Sequence, residues 1–256
     1  MRVDPILSDL MRELSSRGFD LCGLASARRH DRAVPTPRQL LSSAVGDRLV
    51  VVVGHSRGWW DRCLDTLVEE PALLDSLDPI DEVAERMVEA AVRVSAPAES
   101  LPDGAWEVRY AHAQHPPSMR DLATQAGLAS FGPAGLGAHA RWGPWISFRA
   151  AIVTTWPAPT ARETPSGPCE GCRGPCGPAM EEARRAAPVP AGATRLPLAG
   201  WRAYADARAI CPVGMDARYG ADQLEYHYTH GRDVLRRALA QRRRCSSKKS
   251  KTRSSI

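Results

Sequence analysis

Residues 48–54, RLVVVVG, form a continuous β-branched run that presents no polar face to water. A short apolar run ending on Gly fits a strand buried on both sides, so other parts of the chain must supply layers to cover it. At 256 residues and 43% hydrophobic content the chain is long enough to do so in one large domain with appendages.

The flanking stretches read as those layers. Asp4 as cap, Pro5 at the first helical position and Ile6, Leu7, Leu10, Met11 and Leu14 on one face predict an opening helix. FDLCGLA (19–25) reads as a strand, and WWDRCLDTLVEE as a helix with Trp60, Leu64, Leu67 and Val68 at helical spacing. DPIDEVAERMVEAAVRV carries Asp78 as cap, Pro79 in the first turn and apolar residues at 80, 83, 84, 87, 88 and 91. WEVRY (106–110) predicts a strand. SMRDLATQAG predicts a helix between a Ser118/Asp121 capping box and Gly127, and a last strand runs from about 146 to 155. The expected class is α+β, mixed α/β layers with a sheet flanked by helices. Its boundaries are 1–156 for the first part of the body, 157–200 for a coiled insert rich in Cys, Pro and Gly, 201–235 for the rest of the body and 236–256 for a tail.

That tail holds nine Lys and Arg and no acid; removing those nine from the chain's 34 bases leaves 25 against 29 acids, a net of −4. The overall +5 therefore belongs to the tail, read as a disordered solubilising end whose weak attraction to nucleic acid or another polyanion is the sharper alternative. No stretch reaches the ~18 consecutive apolar residues of a membrane span, and MRVDPILSDLMREL is too charged for a signal peptide. Seven cysteines, an odd number, fit a reducing, cytoplasmic setting.

Cys169, Cys172 and Cys176 follow C-x2-C-x3-C, and Cys211 stands directly before Pro212. Clustered thiols joined by a remote Cys-Pro point to a [4Fe–4S] site; zinc and a reduced, redox-active or vestigial set are the alternatives, zinc lacking its second C-x2-C pair. Cys22 and Cys63 read as core filler, and Cys245 as a free thiol in the tail.

WWDRCLDTL with DPIDEV, QHPPSMRDLATQAG, HARWGPWISFRAAIVTTWP and CPVGMDARYGADQLEYHYTH together resemble, in the same order, the cobalamin C-type vitamin B12 processing proteins. The resemblance spans most of residues 45–235. It implies a nitroreductase-like fold, here with a ferredoxin-like Cys-rich insert, and a cytoplasmic protein that binds cobalamin. Removal of the upper ligand would be reductive or thiol-dependent, with reduced flavin or glutathione as co-substrate and an electron-donor protein as a partner. Epoxyqueuosine reductases and reductive dehalogenases are related to that family. A corrinoid- and cluster-dependent reductase of the first type, and a non-catalytic corrinoid carrier, are the rival readings. The expected state is a monomer or a ligand-induced dimer.

The resemblance assigns His115 to the corrin ring. It assigns Trp142, Gly143, Trp145 and Arg149 to the ligand-facing wall, and Arg208, Arg218 and Tyr219 to anion binding. Arg149, on an apolar strand, needs an anionic partner, which a protein acid would also satisfy. His112 is read as a spectator, and His227 and His230 as packing or surface residues.

Overall fold

The computed structural model describes residues 5–40, 46–95, 106–158, 167–189 and 200–253, and from 245 onward the backbone alone. Asp4 and Cys245 therefore carry expectations outside the described residues and side chains. Four strands form one antiparallel sheet in the order β1 (Leu21–Ser26), β2 (Arg48–His55), β6 (Ser147–Pro157), β3 (Glu107–Tyr110). A two-stranded ribbon, β4 (Ser130–Phe131) with β5 (Gly137–Ala138), stands apart. All four sheet strands lie where the sequence predicts them, and β2 is interior.

The period of two along β2 divides its side chains between two cores. Leu49, Val51 and Val53 pack into the larger one, with α1 (Pro5–Ser16), α3 (Trp59–Glu69), α4 (Pro79–Ser95) and α9 (Arg232–Arg253). Val50 and Val52 face Ala25, Ala27, Leu40 and Leu122, the last from α5 (Met119–Gln125). Both faces of the apolar run are thus covered, one of them by the short α2 (Ala27–Asp31), which the sequence reading did not foresee.

The caps hold the helices as expected. Asp78 accepts the backbone N–H groups of Ile80 and Asp81 (3.2 and 3.3 Å), and Ser118 accepts that of Asp121 at 3.4 Å. On α3 the inward face is rotated by one residue from the expected one. Trp59, Cys63, Leu64 and Leu67 are buried, while Trp60 and Val68 lie at the margin.

The remaining corrections concern the C-terminal third. The stretch 157–200 is not all coil, because α6 (Cys176–Ala186) starts at the third clustered cysteine. Met180 and Ala183 bury one face of α6 against Tyr204 of α7 (Trp201–Ala209). Nor is the described part of 236–256 detached: the backbone is helical through Arg253. Ala238 and Leu239 are buried in the main core, and Arg242 bonds to Asp65 and Asp61 of α3 at 2.7 and 2.9 Å. The basic residues end a packed helix, where their positive charge complements its C-terminus. Among the described residues no helix is long and apolar enough to cross a membrane.

Candidate functional site

One end of the sheet, α3, the start of α4 and α8 (Ala221–Thr229) enclose a cavity of about 120 Å³. Its floor is His55, Ser147 and Arg149; Trp59, Trp60 and Ile80 form one wall, and Tyr219, Gln223, Tyr226, His227 and His230 the other. Three imidazoles on so small a space are the distinctive feature.

His55 is held in one tautomer. Its Nδ1–H donates to the Ser56 carbonyl (2.9 Å), its Nε2 accepts from Arg149 Nε (3.0 Å), and its ring stacks on Trp59 at 4.4 Å. Burial, and next the Arg149 charge, keep this imidazole neutral well below the ordinary histidine range. His227 is lowered for the same leading reason, burial, with Arg208 and Arg149 adding to it. Arg149 meets a protein acid, Asp81, at 2.9 Å, so the strand arginine finds its counter-charge without a ligand. Asp81 in turn lies 3.7 Å from His112, which bonds to Glu85 at 2.5 Å; the supposed spectator belongs to the edge of this network.

His230 closes α8 in a left-handed conformation, φ 50°, a strained position for a residue with a Cβ. Its Nδ1 pairs with Asp78 at 2.6 Å, and Tyr226 donates its hydroxyl to the same carboxylate at 3.1 Å. Burial works against the Asp78 charge, but the bonds from His230, the Asp81 backbone and Tyr226 prevail and hold its carboxyl at about 2. Asp78 is thus both helix cap and anchor for the end of α8. Among the residues lining the cavity, the Trp59 indole N–H is buried without a hydrogen-bond partner, and the Tyr219 hydroxyl, packed against the Arg208 guanidinium, donates to no acceptor.

The residues expected to bind a ligand divide into three groups. Arg149 and Tyr219 line the cavity. Trp145 and Arg208 stand behind it as structure. Arg208, 3% exposed, gives its guanidinium to the Pro144 and Ile146 carbonyls and lies 4.9 Å from the rings of both Trp145 and Tyr219. Its Nε and Nη2 donate to backbone carbonyls and the rest of the guanidinium is covered by the two rings, so at 3% exposure it offers no open anion site. Gly143 meets backbone as well: at φ +55° a Cβ there would fall onto the Val213 carbonyl. The Trp142 ring has the Arg141 guanidinium 4.1 Å from its centroid and lies roughly parallel to His139 at 6.5 Å.

The third group lies away from the cavity. His115 is exposed on a loop whose Pro116 carbonyl accepts from Arg38 at 2.7 Å, and exposed Arg218 donates to the Ala209 carbonyl at 2.5 Å. The sequence reading passed over His55, Asp81 and Gln223 and read His227 and His230 as packing or surface residues. A polar residue closing an apolar strand was the available signal for His55.

The four clustered cysteines do meet. Cys169, Cys172, Cys176 and Cys211 line one small hollow of about 20 Å³ with Gly132, Pro133 and Pro212. Among the described residues, no three His, Cys, Asp or Glu side chains stand close enough to hold a single metal ion. A third hollow, about 510 Å³, is mainly apolar, and its Tyr204 hydroxyl is already given to the Ala187 carbonyl.

The neutrality of His55 sets a pH dependence. The unfolded chain takes up a proton that the folded one refuses, so stability is full above about pH 6.5 and falls below it by about 1.4 kcal/mol per pH unit for this one group. The depressed Asp78 acts in a lower window, losing its contribution as pH falls from the ordinary aspartate range toward about 2. Urea melts between pH 7.5 and 5 therefore isolate the histidine term. His55→Gln lowers the slope by about 1.4 kcal/mol per pH unit and leaves the part due to His227, and an unchanged slope in that variant would refute the assignment.

No family model and no curated protein matches the chain. Two solved structures show the range of likeness. An epoxyqueuosine reductase from Bacillus subtilis is 14% identical, with 68% of this chain and 51% of that chain covered at a TM-score of 0.38. A C. elegans B12-trafficking protein, CblC, a homologue of human MMACHC, is 15% identical, with 90% of this chain and 96% of that chain covered at a TM-score of 0.55. In fold, though not in closeness of sequence, this chain is similar to the C. elegans B12-trafficking protein over almost its whole length.

Proposed function

We propose that the chain binds a cobalamin and removes its upper axial ligand, which enters the cavity between His55, Tyr219 and His230. The cavity carries this reading. At about 120 Å³ it is too small for a corrin ring and suits a small group projecting from one. Its likeness in fold to a B12-trafficking protein supplies the ligand class.

Around that group the chain contributes fixed neutral dipoles rather than free charge. Arg149 and Asp81 cancel, the Asp78 carboxylate is tied up by His230 and Tyr226, and His55 is locked neutral. The Trp59 N–H, buried in this wall, has no internal partner, so an acceptor that reached it would displace no protein bond. Cobalt undergoes the electron changes, and the protein provides a dry, shaped site. In decyanation, electrons delivered to cobalt by a reduced flavin let cyanide leave with its bonding pair. In dealkylation, a thiolate such as that of glutathione takes the alkyl carbon while the carbon–cobalt pair stays on the metal.

The test is an absorption titration with cyano- and methylcobalamin, then addition of reduced flavin or glutathione. A base-off shift is expected, followed by ligand loss. Gln223→Leu, which removes a buried polar group from the wall, slows that loss about tenfold, equivalent to about 1.4 kcal/mol. A shift with no ligand loss in either reagent makes the chain a carrier. No shift and no binding refutes the corrinoid reading.

A further inference from the structure

We infer that Cys169, Cys172, Cys176 and Cys211 hold a [4Fe–4S] cluster, at a site separate from the cavity described above. The inference rests on the folded placement of the cysteines. Cys211 follows Cys176 by 35 residues and an entire helix pair, yet it lines the same hollow as the other three. Buried Cys63, by contrast, sits alone among apolar side chains in the main core. Two kinds of cysteine are thus separated in one chain.

The surroundings fit thiolate ligands joined through an inorganic core. Cys176 is the first residue of α6, an 11-residue helix whose N-terminus favours negative charge. Cys172 accepts the Gly174 backbone N–H on its sulfur at 3.4 Å, the kind of bond that tunes a cluster. Gly132 lets the opposite wall approach, since a Cβ there would stand 3.1 Å from the Cys169 sulfur.

The thiols share a hollow but no three acidic, imidazole or thiol groups converge on a single-ion centre. A cubane takes each cysteine on a different iron, so its ligands need only surround a common space, whereas tetrahedral zinc draws all four to one point, about 2.3 Å away. The hollow must widen to admit a cubane. Its outer wall is the Gly- and Pro-containing turn around exposed Cys172, so the turn gives way and not the core. Binding releases the thiol protons.

The site is joined to the cavity by direct contacts. The Cys211 N–H donates to the Arg208 carbonyl (3.3 Å), and the Arg208 guanidinium lies on Tyr219, which lines the cavity. A one-electron group at the cysteines would therefore stand behind the wall of the proposed ligand site.

The experiment is anaerobic reconstitution of the whole chain with ferrous iron and sulfide, read by absorbance, iron and sulfide content, and electron paramagnetic resonance after dithionite. The expected result is four irons and four sulfides per chain with a broad visible band. Cys169→Ser and Cys211→Ser lose most of both, while Cys22→Ser keeps them. Far-ultraviolet circular dichroism separates lost ligation from lost folding. If a variant unfolds, the stoichiometry and resonance spectrum of the unaltered chain still decide. One zinc per chain with no iron uptake, no metal at all, or iron retained by a folded Cys169→Ser/Cys211→Ser double variant would each overturn the inference. Cobalamin titration of the same samples is an independent readout, so a missing cluster and a missing corrinoid site are told apart.

Discussion

Gly143→Ala destabilises the protein by roughly 2–5 kcal/mol, one of the two largest single-residue effects expected here. A residue with a Cβ held at φ +55° pays about 1–2 kcal/mol for the left-handed conformation. Forcing an atom onto packed neighbours adds about 1–3 kcal/mol. Here the neighbour is the Val213 carbonyl, which cannot rotate away as a side chain would. The approach is reciprocal, for a Cβ added at Gly214, itself at φ +70°, would fall onto the Trp142 carbonyl. Urea unfolding of Gly143→Ala and Gly214→Ala should show losses of similar size, with the double variant losing less than their sum because one contact has been broken twice. Losses under 1 kcal/mol in both would mean that the 142–145 turn does not rest on the 211–214 segment.

That contact also marks where sequence reading succeeded and where it stopped. The sheet was legible because RLVVVVG leaves one environment open to it and the other strands are bounded by turns and helix caps. On α4, Ile80, Val83, Ala84, Val88 and Ala91 are buried as their spacing dictates, because a helix of 17 residues fixes its own face. α3 is shorter and begins with two tryptophans, either of which satisfies the period. Only the packing of Phe19 and His55 decides for Trp59.

The candidate site was harder to read for the same reason. A Trp-Gly-Pro-Trp turn resembles a ligand wall, yet Trp145 is 1% exposed and Gly143 serves a backbone crossing. Arg208 looks like an anion receptor until its Nε and Nη2 are found on the Pro144 and Ile146 carbonyls and its plane against Trp145 and Tyr219. His55, His227 and His230 come from segments about 170 residues apart, and no local pattern announces that they will face one another. Close spacing keeps Cys169, Cys172 and Cys176 together locally, but only the fold brings Cys211 to the same hollow; the helix that begins at Cys176 was hidden by the Gly and Pro of its first turn.

Trp59→Ala should cost about 3–5 kcal/mol, the usual penalty for emptying a buried indole site. Trp59 is 1% exposed, lies 5.8 Å from Phe19 and 4.4 Å from the His55 ring, and carries the Arg149 guanidinium 5.2 Å from its own. Its loss removes the support that keeps His55 aligned with Arg149, so the cavity grows toward the sheet as stability falls. Trp59→Phe separates the two parts of that cost. Phenylalanine retains an aromatic face for His55 and deletes an indole N–H that has no partner, a buried orphan worth about 1–3 kcal/mol against folding. The smaller ring leaves a void whose cost offsets that relief, so Trp59→Phe should fall within about 1.5 kcal/mol of the parent while Trp59→Ala falls far below it. The cobalamin titration then reads the indole N–H directly. If an acceptor on the bound ligand uses it, Trp59→Phe folds normally and binds about tenfold more weakly; if binding is unchanged in a folded Trp59→Phe, that donor has no part in the site.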